Sequence, residues 1–264
     1  MNPKSVKTIK VGICGLGTVG AGTFSLLQEN QDEIRARLGC DIEVVSIASR
    51  NLDAANFPGV TQVGSDVFAV VNGEAVDIVV ETLGGFDPAF EAVRQALANG
   101  KHVVTANKAL IAERGSELFP IAHSNGVCLA YESAVAGGIP IIKALREGLT
   151  ANRIEWLAGI INGTGNFILT EMAAHARQFD DVLLQAQALG YAEADPAFDV
   201  DGIDAAHKLS IMAAIAFGIP LQFHKTYTEG ISHITPEDIH YAAELGYRIK
   251  HLGIAKLSAE AVEL

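Results

Sequence analysis

The sequence has few cysteines and no basic stripe, and each absence removes a class of protein. Its three cysteines, Cys14, Cys40 and Cys128, are far apart and form no CxxC pair, which argues against a zinc knuckle and a disulfide framework. We expect them to be reduced, with Cys14 and Cys128 in the core. The net charge of -12 comes from acids spread along the chain. Nucleic acid is therefore not an expected partner.

Long apolar runs are also missing. No run reaches the roughly 18 to 20 residues that a membrane-spanning helix needs. The opening MNPKSVKTIKVGICG runs directly into a short apolar strand and contains no signal-peptide cleavage pattern. These features predict a cytoplasmic protein that does not bind a membrane.

The 264 residues favour two domains. Strand-like runs (KVGICG, IEVVSIAS, DIVVETL, HVVTA, GVCLAYE) alternate with helical patterns from Val19 to about Leu38, in PAFEAVRQALANG, and in a helix ending near Asn125. This alternation predicts an α/β domain with a Rossmann-type doubly wound parallel sheet over residues 1–139. Alanine-rich amphipathic stretches with few strands follow, and they predict a second, α+β domain over residues 140–264.

A glycine-rich turn lies between the first strand and the first helix. In this position a GxGxxG pattern predicts a dinucleotide site, because the three glycines permit a tight turn, close approach of a pyrophosphate, and close packing of helix on strand. The alternative is an ordinary glycine turn that binds nothing. The expected cofactor contacts here are Gly15, Leu16, Gly17, Thr18, Val19 and Gly20.

The second strand ends without an acid and is followed by Arg50. An acid at this point would accept from the ribose hydroxyl of NAD, whereas an arginine suits the 2′-phosphate of NADP. The pattern favours NADP and leaves two alternatives open, a solvated surface arginine and the use of NAD.

An acid-rich segment, AQALGYAEADPAFDVDGIDAAHK, stands out in an otherwise apolar region. If GIDAAHKLSIMAAIAFG is helical, Asp204 and Lys208 lie one turn apart on the same face. On spacing alone, the two residues either form an ion pair on a solvated face or line a cleft. His207 would point about 100° away from Lys208, which predicts a core or surface role for it.

This segment resembles the signature of the homoserine dehydrogenase family. TANKAL around Lys108 and GIINGTGNFIL from Gly159 to Leu169 agree with the resemblance, although Gly165 stands where the family more often has threonine. The residues of the acid-rich segment that carry the resemblance are Ala186, Gly190, Asp195, Pro196, Asp199, Asp201, Gly202, Asp204 and Lys208.

The resemblance implies an NAD(P)-dependent oxidoreductase that interconverts L-homoserine and L-aspartate 4-semialdehyde in threonine, methionine and isoleucine biosynthesis. It implies Lys208 as the proton donor and acceptor, and Asp199 as the residue that orients water or Lys208. Lys108 follows the carboxyl end of a strand, where open α/β sheets place their ligands. We expect it to be a catalytic and cofactor-contacting residue, with a contact to the substrate carboxylate as the alternative. The substrate contacts that the resemblance implies are Glu193, Asp204, Gly163 and Thr164.

The resemblance also implies a structural monovalent cation, sodium or a similar ion. Its ligands would be the carboxylate of Glu132 and the carbonyls of Val135, Gly137 and Ile139. From the residues alone, this segment is only a glycine-rich strand-to-helix turn.

Two other functions remain as alternatives. A semialdehyde dehydrogenase would need an activated cysteine, and Cys128 is poorly placed for this within an apolar strand. A non-enzymatic dinucleotide sensor or regulatory module is the other alternative, since the family continues beyond AKLSAEAVEL. We accordingly expect the second domain to be incomplete, and the resemblance implies a homodimer formed through that domain.

Overall fold

A computed structural model describes residues 7–50, 52, 57, 59–258 and 261–264. The chain divides into two compact units, Met1–Gly138 and Ile139–Leu264. Each unit is described by itself below.

The first unit is built on a six-stranded parallel sheet, as the sequence predicts. The strand order is β3-β2-β1-β4-β5-β6, so the chain builds outward from β1 on one side and then crosses to the other. Open α/β sheets bind ligands where the order reverses, beyond the carboxyl ends of the strands. The strands are β1 Thr8–Cys14, β2 Asp41–Ala48, β3 Gln62–Gly64, β4 Ile78–Glu81, β5 His102–Thr105 and β6 Leu129–Ala130.

Helices connect these strands, and apolar side chains from both fill the core. Val11, Ile13, Val44 and Ile47 pack together with helical residues such as Phe24. Burial of such side chains is the main stabilising term in folding. The helices are α1 Thr18–Glu29, α2 Gln31–Leu38, α3 Val67–Val71, α4 Ala89–Ala98 and α5 Lys108–Ser124.

The single helix predicted from Val19 to about Leu38 was wrong, because the chain breaks at Asn30 into α1 and α2. Asn30 leaves the helical conformation with φ of −109° and ψ of 28°. Both its backbone N–H and its side-chain Nδ2 donate to the carbonyl of Leu26. Asparagine competes with the helical hydrogen-bond pattern in this way, so α1 ends there.

The predictions for the last strand and for Cys128 were also wrong. Only Leu129 and Ala130 of GVCLAYE form a strand, at the edge of the sheet, and they pair with β5. Cys128 precedes this short pairing and is exposed. Cys14 is buried as expected, and burial together with the nearby Glu81 charge raises the pKa of its thiol to about 12.

The second unit combines helices with a three-stranded antiparallel sheet in the order β7-β8-β9. Ile168, Leu169 and Met172 form one core with neighbouring helices, while Leu209 and Ala255 belong to another. The elements are α6 Ile141–Lys143 leading into a π-helical turn at Ala144–Gly148, β7 Trp156–Gly159, α7 Gly163–His175, α8 Phe179–Ala188, α9 Ala197–Val200, α10 Ile203–Phe217, α11 Pro236–Glu244, β8 Gly253–Leu257 and β9 Val262–Glu263.

The helix predicted for GIDAAHKLSIMAAIAFG is confirmed as α10. Gly202 and Gly218 lie at its two ends with φ of +83° and +65°, a left-handed conformation that glycine adopts without steric cost. His207 is buried beside Phe198 and Phe223, in agreement with the predicted core role. Among the described residues, no helix is long and apolar enough to cross a membrane.

Candidate functional site

The glycine turn of the first unit is shaped to admit a phosphate group. Gly15 has a φ of +97°, and a Cβ there would lie 2.7 Å from the carbonyl oxygen of Thr82. At Gly20, a Cβ would overlap the carbonyl oxygen of Gly15, so helix α1 and the turn can pack this closely only without a side chain. A Cβ at Gly17 would meet no atom within 4 Å, so the backbone is open to a ligand at that residue. These three properties fit a dinucleotide pyrophosphate at a helix N-terminus.

A cavity of about 620 Å³ adjoins this turn. Arg50 lines it together with Gly15, Leu16 and Gly17, so the structure brings the predicted arginine to the predicted turn. Asp66, which the sequence reasoning missed, lines the same cavity and caps α3 by accepting from the N–H of Phe68 at 2.8 Å. The cavity therefore presents both a cation and an acceptor.

A buried carboxylate at the end of β4 was also missed. Glu81 accepts hydrogen bonds from the Thr105 hydroxyl and from the N–H of Leu83, the latter at 2.7 Å. Burial raises the pKa of the Glu81 carboxyl, and these hydrogen bonds oppose the rise. The signal in the sequence was an acid closing the apolar run IVVE, where an unpaired charge would be costly.

Thr105 extends this network to the start of α5. Its hydroxyl oxygen accepts from the N–H of Asn107 at 2.9 Å, and the Asn107 side chain donates to the carbonyl of Gly85 at 2.6 Å. Asn107 also caps α5 by accepting from the N–H of Leu110. Lys108, the predicted catalytic and cofactor-contacting lysine, is half-buried as the first residue of that helix.

In the second unit, Asp204 and Lys208 form a largely buried ion pair. The Lys208 Nζ lies 2.8 Å from Asp204 Oδ2 and donates to the carbonyl oxygen of Ile161 at 3.0 Å. The two side chains are 18% and 5% exposed for Lys208 and Asp204 respectively. The alternative of an ion pair on a solvated face is therefore wrong.

Asn162 joins this pair to Asp199. Its Nδ2 donates to Asp199 Oδ1 at 2.7 Å and to Asp204 Oδ2 at 2.9 Å. Its Oδ1 accepts from the N–H of Gly165 at 2.7 Å and so caps α7. Asn162 was not among the residues predicted from the sequence, although an asparagine before a helix is a capping signal.

The other predicted substrate contacts lie near this cluster in the chain but take no part in its hydrogen bonds. Thr164 donates its hydroxyl proton to the carbonyl of Tyr191 at 2.8 Å, and Gly163 is exposed at the start of α7. Glu193 is exposed, and its backbone carbonyl accepts from Gln187. Across the described residues, the hydrogen bonds bring together Asp199, Asp204 and Lys208 but do not include the Glu193 carboxylate.

Comparison with known proteins identifies both units. A family model described as "Homoserine dehydrogenase, NAD binding domain" matches residues 15–132, and one described as "Homoserine dehydrogenase" matches residues 140–264. A solved structure described as a putative homoserine dehydrogenase from Archaeoglobus fulgidus is 34% identical, with a TM-score of 0.83. The match covers 97% of this chain and 82% of that one. This chain belongs to the homoserine dehydrogenase family.

Homoserine dehydrogenases from two further organisms are more similar to this chain in sequence. The protein from Pseudomonas aeruginosa is 61% identical over 98% of this chain and 60% of its own length. A crystal structure of the enzyme from Thiobacillus denitrificans is also 61% identical, with a TM-score of 0.93 over 97% of this chain and 60% of that one. The chain thus spans about 60% of the length of the curated relatives it matches.

Family membership does not by itself place the predicted cation. In the first unit, Glu132 begins a short 3-10 turn, and its backbone carbonyl accepts from the N–H of Val135. Ile139 begins the second unit, and its carbonyl accepts from Ile141 at 2.8 Å. In the part of the chain that the structure describes, no group of three or more His, Cys, Asp or Glu side chains could hold a metal. The predicted cation site has one carboxylate and three backbone carbonyls as ligands, so the absence of such side-chain groups has no bearing on it.

The departure from the family pattern at Gly165 has a local explanation. A Cβ at this position would lie 3.3 Å from Asn162 Oδ1 and 3.3 Å from Ile231 Cδ1. A larger residue would require both neighbours to shift by a few tenths of an ångström. In this chain, glycine accommodates the close approach of the Asn162 side chain that caps α7.

Proposed function

We propose that this protein interconverts L-homoserine and L-aspartate 4-semialdehyde, with a nicotinamide cofactor that exchanges hydride at its ring. The buried Asp204–Lys208 pair carries the proposal, because this reaction needs an acid and base for the alcohol proton. Burial of both partners, within the segment matched by the family model, supports a role in chemistry over a surface contact.

Lys208 is the residue we assign to proton transfer. Two of the three Nζ donors go to Asp204 and to the Ile161 carbonyl. We assign the third to the substrate oxygen, where lysine would donate a proton to the aldehyde and accept one from the alcohol. Asp199 would orient water or the lysine, and Lys108 would contact the cofactor and assist catalysis.

The assigned substrate contacts are Glu193 and Asp204 for the ammonium group, with Gly163 and Thr164 beside them. Exposed Glu193 is available to a cation. Asp204 would have to share its carboxylate with Lys208 and Asn162, since both already donate to Oδ2. Glu193 is therefore the stronger candidate for the ammonium group.

For the cofactor, we propose NADP in preference to NAD, with Arg50 on the 2′-phosphate. A related hyperthermophilic archaeal homoserine dehydrogenase, 27% identical, was solved in complex with NADPH. Asp66 in the same cavity keeps NAD as an alternative.

Arg50→Ala should weaken NADPH binding about tenfold, equivalent to one lost charged hydrogen bond, and leave NADH binding unchanged. Fluorescence titration measures both, and exposed Arg37→Ala is the matched control.

The remaining proposals are a sodium-like ion at Glu132, Val135, Gly137 and Ile139, a homodimer, and a cytoplasmic location. The dimer has one structural support in the exposed face of the second unit's sheet, where two large apolar residues, Trp156 and Ile254, are 63% and 52% exposed. Sedimentation over a range of protein concentrations tests it.

Nicotinamide absorbance on mixing this chain with homoserine and either cofactor tests the proposed function. We expect reduction of NADP, and more slowly of NAD, only when homoserine is present. Binding of cofactor without turnover would instead favour the sensor alternative. The cysteine-dependent alternative has little support, because homoserine dehydrogenase family models match both units. The buried Cys14 thiol also has a raised pKa, whereas an activated cysteine needs a lowered one.

A further inference from the structure

Asn162 contacts both carboxylates of the acid–lysine cluster. We infer that it is a positioning residue that fixes Asp199 and Asp204 around Lys208, an inference that rests on the proposed function. The residue is 3% exposed, and each polar atom of its side chain has a defined partner.

The chemistry of these partners permits one orientation of the amide. Asp199 and Asp204 present acceptors, and the N–H of Gly165 presents a donor. A flipped amide would set its oxygen against two carboxylates and its NH₂ against an N–H, which would lose three hydrogen bonds. The amide therefore locks both acids to the first turn of α7.

The segment that holds the acids also holds the lysine. Ile161 accepts from Lys208 Nζ at 3.0 Å through its carbonyl, and the next residue, Asn162, donates to Asp204. The backbone here is itself fixed, because Asn166 Nδ2 donates to the Asn162 carbonyl at 3.0 Å. Two consecutive residues thus hold the ion pair: Ile161 binds the Lys208 ammonium group and Asn162 binds the Asp204 carboxylate.

The neutrality of the amide matters as much as its geometry. Asp199 and Asp204 each place an oxygen within 3 Å of the same Nδ2, so two negative charges converge there, with Lys208 as the adjacent cation. His251 faces the cluster as a further titratable group, and burial lowers its pKa, which disfavours a second positive charge. A carboxylate at position 162 would be a third negative charge with no added cation.

Two substitutions separate positioning from helix capping. Aspartate and serine both cap helices well, so Asn162→Asp and Asn162→Ser can each retain the cap on α7. Only Asn162→Asp adds a charge, and both remove the donors to Asp199 and Asp204. We expect both variants to lower kcat about 100-fold and to leave NADPH binding within twofold of wild type, since the dinucleotide turn belongs to the other unit.

The pH profile of homoserine oxidation gives the readout that capping alone would not move. The rate of homoserine oxidation depends on pH because the alcohol gives up a proton, and added negative charge beside the base moves that dependence to higher pH. Only Asn162→Asp adds such a charge, so its pH profile should lie about one unit or more above that of Asn162→Ser. Rates of homoserine oxidation within a few-fold of wild type in both variants, which keep the cap, together with superimposable pH profiles, would reduce Asn162 to a helix cap and overturn the inference.

Thermal unfolding of the same 264-residue chain tests the arrangement without turnover. Repulsion among three carboxylates is relieved on protonation, so the deficit of Asn162→Asp should be larger at about pH 8 than at about pH 5, while that of Asn162→Ser stays constant. The exchange variant Asn162→Asp with Asp199→Asn restores the charge count and should recover most of the loss at pH 8. If the wild-type chain binds cofactor but does not oxidise homoserine, the proposed function fails. The unfolding curves then test, without any turnover, whether Asn162 positions the two acids. A deficit independent of pH, with no recovery in the exchange variant, would contradict it.

Discussion

The two units build their sites in opposite ways. The dinucleotide turn of the first unit is continuous in sequence, from Gly15 to Gly20, and works through backbone atoms and missing side chains. The acid–lysine cluster of the second unit joins the Asn162 side chain to carboxylates 37 and 42 residues further along the chain. A site made from backbone is visible as a motif, whereas a site made from distant side chains depends on how helices pack.

The largest expected effect is at Lys208. In a site made from side chains, as in the second unit, we expect a single residue to be essential for proton transfer. Lys208→Ala should lower kcat for homoserine oxidation by about 1,000-fold, a size typical of a lost general acid and base, with little change in NADPH affinity. Exposed Lys225→Ala serves as the control. Steady-state rates that match wild type would remove Lys208 from the mechanism.

The next effect tests the backbone site. Gly20→Ala should weaken NADPH binding at least tenfold and lower the free energy of unfolding by about 1 to 3 kcal/mol, because its Cβ would overlap the Gly15 carbonyl. Gly22→Ala is the matched control in the same helix, since a Cβ there meets no atom within 4 Å. This control should stabilise the chain by about 0.5 to 1 kcal/mol. Fluorescence titration and urea unfolding measure both, and unchanged affinity in Gly20→Ala would mean that the turn does not contact the cofactor.

The smallest effect concerns a side chain at the end of a strand in the first unit. Burial raises the pKa of Glu81, so the folded state binds its proton more tightly than the unfolded chain does. Its contribution to stability is full below the unfolded carboxyl value of about 4.3 and is lost as pH rises through the raised folded value. Glu81→Gln should therefore gain stability relative to wild type as pH increases.

Urea unfolding at a series of pH values measures this difference, and exposed Glu74→Gln is the control. A Glu81→Gln curve parallel to wild type would show that the carboxyl titrates normally.

Prediction from sequence succeeded where structure follows from local pattern. The parallel sheet, the glycine turn and α10 follow from residue periodicity and from glycines that local geometry requires. The division at Asn30 was missed because the apolar pattern continues across it, although a single asparagine closes α1. The exposed position of Cys128 depends on how many residues pair with β5, which a run of apolar letters does not reveal.

The candidate site shows the same limit. Family resemblance pointed to Asp204 and Lys208, but the roles of Asn162 and Glu81 appear only when their partners are known. Asn162 precedes its carboxylate partners by 37 and 42 residues, and Thr105 follows Glu81 by 24. Hydrogen bonds of this range have no periodicity in the sequence to predict them.

The buried thiol of Cys14 offers a way to measure how often the folded sheet opens. Since burial raises its pKa to about 12, almost none of it is thiolate while β1 remains between its neighbours. Cys14 can react at an appreciable rate only after that central strand has opened. The rate at which a thiol reagent modifies Cys14 therefore measures how often the middle of the sheet opens, next to the turn that would bind the cofactor.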